Sequence, residues 1–140
     1  MYVYALNALK RRDHSIAQLR EKLEARFGSA PEEIIQQLLN KNFLNDRRYA
    51  ENYIARRKDR GPALLREELT AHGVAGPLVD ELLSRAEWPS IRDTLADKMD
   101  GWKLRAPLQS RDAARLFRAL LRLGYDEDAI REEIQKLNEQ

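Results

Sequence analysis

The amino-acid sequence predicts an all-α protein of three tandem three-helix repeats forming an elongated, curved helical array. Three observations predict it: a composition poor in strand formers, apolar residues at helical spacing, and one leucine–glycine–aliphatic pattern that occurs three times. Of the 140 residues 43% are hydrophobic, supplied mainly by Leu and Ala, whereas β-branched residues number only 12 (three Val, seven Ile, two Thr). Branched side chains suit a pleated strand and straight ones suit a helix, so composition alone favours helix.

The repeat sets the number of helices. Leu19, Leu23, Gly28, Ile34 and Leu38 are echoed by Leu65, Leu69, Gly73, Val79 and Leu83, and again by Leu116, Leu120, Gly124, Ile130 and Ile134. In every copy the two leucines are 4 residues apart, the glycine precedes the next anchor by 6, and that anchor precedes its partner by 4. Only the leucine-to-glycine step varies (5, 4 and 4), a single insertion in the first copy. The first leucines lie 46 and then 51 residues apart, near the length of helical solenoid units. An i, i+4 apolar pair marks one buried helix face and the glycine supplies a left-handed stop, so each copy reads as helix, stop, helix.

Taken in order, the first helix (2–11) is amphipathic from Tyr4 to Leu9, and the second (15–27) opens on Ser15 with Gln18 three residues later, a capping box. The third (31–41) starts at Pro31-Glu32-Glu33, whose ring and acids suit a first turn. The fourth (46–59) carries Tyr49, Ala50, Tyr53 and Ile54, and the fifth (62–72) begins at Pro62 and ends near His72. Gly76-Pro77 opens the sixth (76–86), the seventh (89–101) is centred on Leu95, and the eighth (110–123) holds the third leucine pair. Asp126-Glu127-Asp128 opens the ninth (126–138). The longest connection, 102–109, contains Pro107, and with Trp88-Pro89 it brackets the seventh helix as the place for bending between repeats. The repeats are assigned to 1–44, 45–87 and 88–140.

Several function classes are disfavoured by what the chain lacks. Its apolar runs stop at three or four residues against the roughly 20 that cross a bilayer, and the N-terminus has no apolar signal segment, so a cytoplasmic protein is expected. There is no cysteine, and His14 and His72 are the only histidines, so no metal site and no cofactor are expected. Asp13-His14-Ser15 has the residue types of a hydrolytic triad, but consecutive residues cannot adopt its geometry, and Ser15 is explained as a cap. No catalysis is expected.

Charge carries more information. The net charge is only +2, yet residues 1–60 and 101–124 each carry +5 while 61–100 and 125–140 each carry −4. Of the 25 basic residues 18 are Arg, whose planar fork suits phosphates, carboxylates and protein interfaces. Arg111, Arg115, Arg118 and Arg122 fall within about a 60° arc of the eighth helix, with Asp112 its only acid. Such a row is either a solvated face or a binding surface for phosphate or acidic protein. A second cluster comprises Arg47, Arg48, Arg56, Arg57, Lys58 and Arg60, interleaved with Tyr49 and Tyr53. Helical geometry puts both tyrosines and Arg57 on the apolar side, which makes the tyrosines core and Arg57 half-buried. Arg56, Lys58 and Arg60 are then the cluster's candidates for meeting a partner.

These residues resemble the RecX regulatory proteins, bacterial modulators of the RecA recombinase. The resemblance runs from Ala5-Leu6 and Leu9 through Arg12-Asp13-His14-Ser15 and Leu19 to Leu23, then Phe43-Leu44-Asn45-Asp46-Arg47-Arg48-Tyr49-Ala50, Tyr53 and Arg57, and on to Gly61-Pro62 and Leu65 to Glu68-Leu69. Arg115-Leu116 to Gly124-Tyr125 and Ile130 fit a looser C-terminal pattern. Leu44-Asn45-Asp46 stands where the family commonly has Leu-Asp-Asp, Arg48-Tyr49-Ala50 where it has Arg-Phe-Ala, and the approach to Pro62 is short. The resemblance marks Ser15, Asp46, Arg48, Tyr49, Ala50, Arg57, Gly61 and Pro62 as structural motif residues. It implies binding to RecA and the RecA–DNA filament, in its groove or at its growing end, with suppression of ATPase, strand-exchange and co-protease activity. The resulting expectation is a monomeric, non-enzymatic inhibitor contacting the filament through Arg47, Arg56, Lys58, Arg60, Arg111, Arg115, Arg118 and Arg122. A direct single- or double-stranded DNA-binding module and an inert helical scaffold are the rival readings.

Overall fold

Side-chain chemistry marks where the helices of this chain begin and end. A computed structural model describes residues 1–139, and among these every regular element is helical. Nine α-helices follow in order: α1 (Tyr2–Arg11), α2 (Ile16–Phe27), α3 (Glu32–Asn40), α4 (Asp46–Arg56), α5 (Pro62–Ala71), α6 (Gly76–Arg85), α7 (Ile91–Trp102), α8 (Ser110–Leu123) and α9 (Glu127–Asn138). Gln140, the last residue of the third expected repeat, lies outside the described residues. The Ser15 capping box forms as expected, with Ser15 Oγ accepting from the Gln18 N–H and the Gln18 side chain accepting from the Ser15 N–H, both at 3.1 Å. Ser90 and Asp126 cap α7 and α9 through the N–H groups of Asp93 and Ala129. The three expected stop glycines, Gly28, Gly73 and Gly124, take φ of 80°, 86° and 97°.

Two helices depart from their expected limits by more than a residue. α4 ends at Arg56 rather than 59: Arg57 leaves the helix (φ −132°, ψ 33°) and Lys58–Arg60 form a 3₁₀ turn. On the far side of the turn Gly61, immediately before Pro62, is turned away from helical geometry at φ 79°, ψ 163°. α7 starts at Ile91 rather than 89, because Ser90 spends its side chain as a cap.

The chain forms two compact units, Met1–Arg56 with Arg66–Ala86, and Arg57–Leu65 with the segment from Glu87 onward. In the first, Ala5 and Ala8 of α1, Leu19 and Leu23 of α2, Ile35 and Leu38 of α3, and Leu44 make one buried cluster. α4 packs against α6, burying Tyr49, Ala50, Tyr53 and Ile54 alongside Val79, Leu82 and Leu83. The tyrosines are therefore core, as their helical phase implied. In the second unit, Leu95, Leu116, Leu120, Ile130 and Ile134 from α7, α8 and α9 form the core. Every repeat anchor is buried except Ile34, which packs only at the edge of its cluster while its neighbour Ile35 is fully enclosed. The anchor of the first copy has moved by one residue.

Gly61 belongs to the second unit and shows why its identity matters. A Cβ there would collide with the backbone carbonyl of Leu123, and its positive φ strains any L residue. Gly28 has a similar φ but open space around it. Gly61→Ala is thus expected to lower stability well beyond the ~1–2 kcal/mol that a left-handed non-glycine costs, and Gly28→Ala to stay within it, read by denaturant titration. Leu65→Ala or Leu116→Ala should each cost about 2–5 kcal/mol by leaving a cavity at a repeat anchor. An unchanged unfolding midpoint for both would refute the repeat alignment.

Candidate functional site

α8 is the most sharply two-faced helix of the chain. Leu116, Leu120 and Leu123 point into the core, and Arg111, Arg115, Arg118 and Arg122 are all exposed on the opposite side. Ion pairs elsewhere in this unit join Arg92 to Glu133, Arg131 to Glu127, and Lys136 to Glu132 and Glu133. Among the described residues no carboxylate pairs with any of the four arginines. Arg115 instead lies over the indole of half-buried Trp102, its Cζ 3.8 Å from the ring centroid, a stacked cation–π contact that orients the guanidinium and leaves its charge in place. Nothing in the spacing of the sequence pointed to Trp102; only the packing of α7 against α8 brings it there.

The second basic cluster does not form one patch. Arg47 and Arg56 are nine residues apart, which is half a turn out of phase on a helix. Arg47 Nε donates to Glu51 at 3.1 Å and its Nη2 pairs with Glu81 of α6 at 3.4 Å, so this side of α4 is neutralised. Arg56 is exposed on the other side, beside α1. Lys58 and Arg60 lie in the 3₁₀ turn of the second unit, half-buried, and Arg57 and Arg60 are both engaged within the protein.

Several motif residues around α4 act on backbone groups. Asn45 Oδ1 caps the Arg48 N–H at 3.0 Å, and Arg48 Nη1 donates to the Asn42 carbonyl at 2.8 Å. Asp46 Oδ1 accepts from the Ile16 N–H of α2 at 2.8 Å, and burial pushes the Asp46 carboxyl above the usual carboxylate range. Tyr49 Oη meets His72 Nδ1 at 2.9 Å, with the Tyr53 ring edge-on to the same imidazole at 5.3 Å and its hydroxyl donating to Glu68. Ser15 Oγ donates to the His72 carbonyl at 2.5 Å. Ala50 is fully buried where α4 packs, Gly61 is required as described above, and Pro62 is the first residue of α5. His72 is a helix-end residue as expected, its N–H bonded to the Glu68 carbonyl. The polar use of its ring was not legible.

No group of three His, Asp or Glu side chains is placed to hold a metal, and no helix is long and apolar enough to cross a membrane, among the described residues. Comparison with known proteins adds the family. Residues 45–83, covering α4, α5 and most of α6, match the model of the RecX second three-helix domain. The regulatory protein RecX of a Thermus thermophilus strain is 38% identical over 124 residues, covering 87% of this chain and 81% of that protein. The chain belongs to the RecX family. The RecX of Halorhodospira halophila is 32% identical over 132 residues, covering 91% of this chain and 81% of that protein. The crystal structure of RecX from Lactobacillus salivarius superimposes with a TM-score of 0.75 over 99% of this chain and 95% of that one, at 22% identity, which shows a shared fold. The relatives are named regulatory proteins, and the RecX model falls on the α4–α6 segment whose motif residues hold backbone ends together.

His14, in the segment that joins α1 to α2, is buried; its Nδ1 donates to the Arg12 carbonyl at 3.0 Å and its Nε2 has no partner among the described residues. Burial therefore holds its pKa below the ordinary histidine value. A lowered base is neutral in the folded chain where it would be protonated in the unfolded one, so its contribution to stability is present at neutral pH and lost as pH falls below about 6.5. Thermal melts at pH 7.5 and 5.5 should show a larger acid-induced drop for the parent than for His14→Phe. Equal drops would remove His14 as the source.

Proposed function

We propose that this protein is a non-enzymatic, cytoplasmic, monomeric regulator that binds RecA and the RecA–DNA filament and inhibits RecA ATPase, strand-exchange and co-protease activities, modulating recombination, DNA repair and the SOS response. One observation carries the reading beyond family membership: the exposed arginine ladder of α8, uncompensated by acids among the described residues. A row of like charges costs stability and is retained where an anionic surface meets it, and a nucleoprotein filament offers both acidic protein and DNA phosphates. Arg56 adds an exposed cation in the other unit, with Lys58 and the already engaged Arg47 and Arg60 as weaker contributors. Three tandem three-helix repeats, 1–44, 45–87 and 88–140, are the architecture we assign to this activity, with no cofactor.

The test is RecA ATP hydrolysis on single-stranded DNA with the protein titrated in, beside a DNA-binding titration at two salt concentrations. Inhibition at concentrations that leave bare DNA unbound supports the filament as target. Inhibition only where DNA is sequestered, with affinity falling steeply as salt rises, would overturn it in favour of a direct DNA-binding module. Replacing Arg111, Arg115, Arg118 and Arg122 by Ala is expected to raise the inhibitory concentration roughly tenfold or more while leaving helicity unchanged. Unaltered inhibition would take α8 out of the interface.

A further inference from the structure

The connection from α3 to α4 presents an aromatic ring to solvent beside three cations. α3 ends in a double-bonded turn: the Asn42 N–H reaches the Leu39 carbonyl at 3.0 Å, the Phe43 N–H reaches the Leu38 carbonyl at 2.9 Å, and Asn42 takes φ 61°. An apolar residue in the position of Phe43 commonly folds back onto such a helix end. Here Leu44 is the residue that goes inside, 1% exposed, and Phe43 stands 47% exposed. Its backbone is nonetheless held, because Arg48 ties down the Asn42 carbonyl at 2.8 Å. The ring is an exposed platform on a braced turn.

A groove of about 580 Å³ runs between this turn, α1 and α4. Leu6 and Leu9 give it an apolar wall, and Lys10, Arg48 and Arg56 supply its cations. The acid in it, Asp13, accepts from Asn52 Nδ2 at 3.5 Å, and no carboxylate pairs with the three cations among the described residues. We infer that this groove binds one unpaired nucleotide of a single-stranded nucleic acid, the base against Phe43 and the flanking phosphates on Lys10, Arg48 and Arg56. The size suits a small planar ligand. Stacking on an aromatic ring needs an unpaired base, cations track the phosphates on either side of it, and the Asn42 and Asn52 side chains offer donors and acceptors to a base edge. An acidic peptide would use the cations and leave the ring without a planar partner. The site stands on its own geometry and needs no RecA.

The experiment titrates the full-length chain, carrying Ala at the four α8 arginines to remove phosphate binding there, into a labelled oligo(dT) and into a duplex of equal length, without RecA. Phe43→Ala is expected to weaken oligo(dT) binding by about fivefold to a hundredfold, the range of one lost stacked base, and to leave duplex binding unchanged. Arg56→Ala should weaken oligo(dT) binding and flatten its salt dependence. Phe43→Trp should retain affinity and show indole quenching on oligo(dT) addition that the parent, with its Trp88 and Trp102, does not. Oligo(dT) affinity unchanged in both Phe43→Ala and Arg56→Ala, equal loss on single strand and duplex, or displacement of oligo(dT) by poly-glutamate at equal charge concentration would each overturn the assignment. A positive result here with no inhibition of RecA would leave the site standing and the filament reading fallen.

Discussion

The start of α2 is the joint on which the first unit depends. A helix N-terminus exposes N–H groups that need acceptors, and burying it without them would cost about 1–3 kcal/mol for each orphan. Here the acceptors come from near and far. Gln18 and Ser15 close the capping box locally, Asp46 at the head of α4 takes the Ile16 N–H, and Ser15 Oγ in turn donates to the carbonyl of His72 just past the end of α5. One buried serine thus links segments 57 residues apart. Val, Leu and Ile in the cores drive burial, but these few bonds determine which helix ends meet.

The same economy separates structural arginines from available ones. In the first unit Arg47 is shared between Glu51 and Glu81, Glu81 also meets Arg85, and Arg66 pairs with Asp80. Arg48 spends one donor on a backbone carbonyl that closes a turn. Exposed pairs of this kind contribute little stability, but they cancel charge locally. Among the described residues no carboxylate pairs with the four arginines of α8, and the contact of Arg115 with Trp102 leaves the positive potential intact. The contrast between neutralised and bare arginines, rather than the +2 total, is what directs the functional reading toward an anionic partner.

Much of this was legible from spacing. Leucine pairs four apart and glycines four or five residues on placed the helices of each copy, because helix periodicity and the left-handed stop are local properties that neighbours can reinforce but rarely reverse. The Tyr49 and Tyr53 phase and the Ser15 box followed from the same local rules. The end of α4 did not, since nothing in the local spacing marks Arg57 as the residue that leaves the helix for a 3₁₀ turn. The one-residue shift from Ile34 to Ile35 likewise reflects how α3 rolls against α1 and α2.

Sequence by itself determined the helical class, the number and order of helices, the arginine arc of α8 and the absence of cysteine chemistry, all of which depend on residue type and on separations of a few positions. Tertiary structure alone decided which polar groups satisfy one another over long separations: Asp46 with Ile16, Ser15 and Tyr49 with His72, Arg115 with Trp102. It also decided that Arg47 and Arg56 face different neighbours and that Phe43 stays outside while Leu44 goes in. Local spacing fixes the face a side chain occupies on its own helix, whereas the partner on that face depends on the packing of elements distant in the chain.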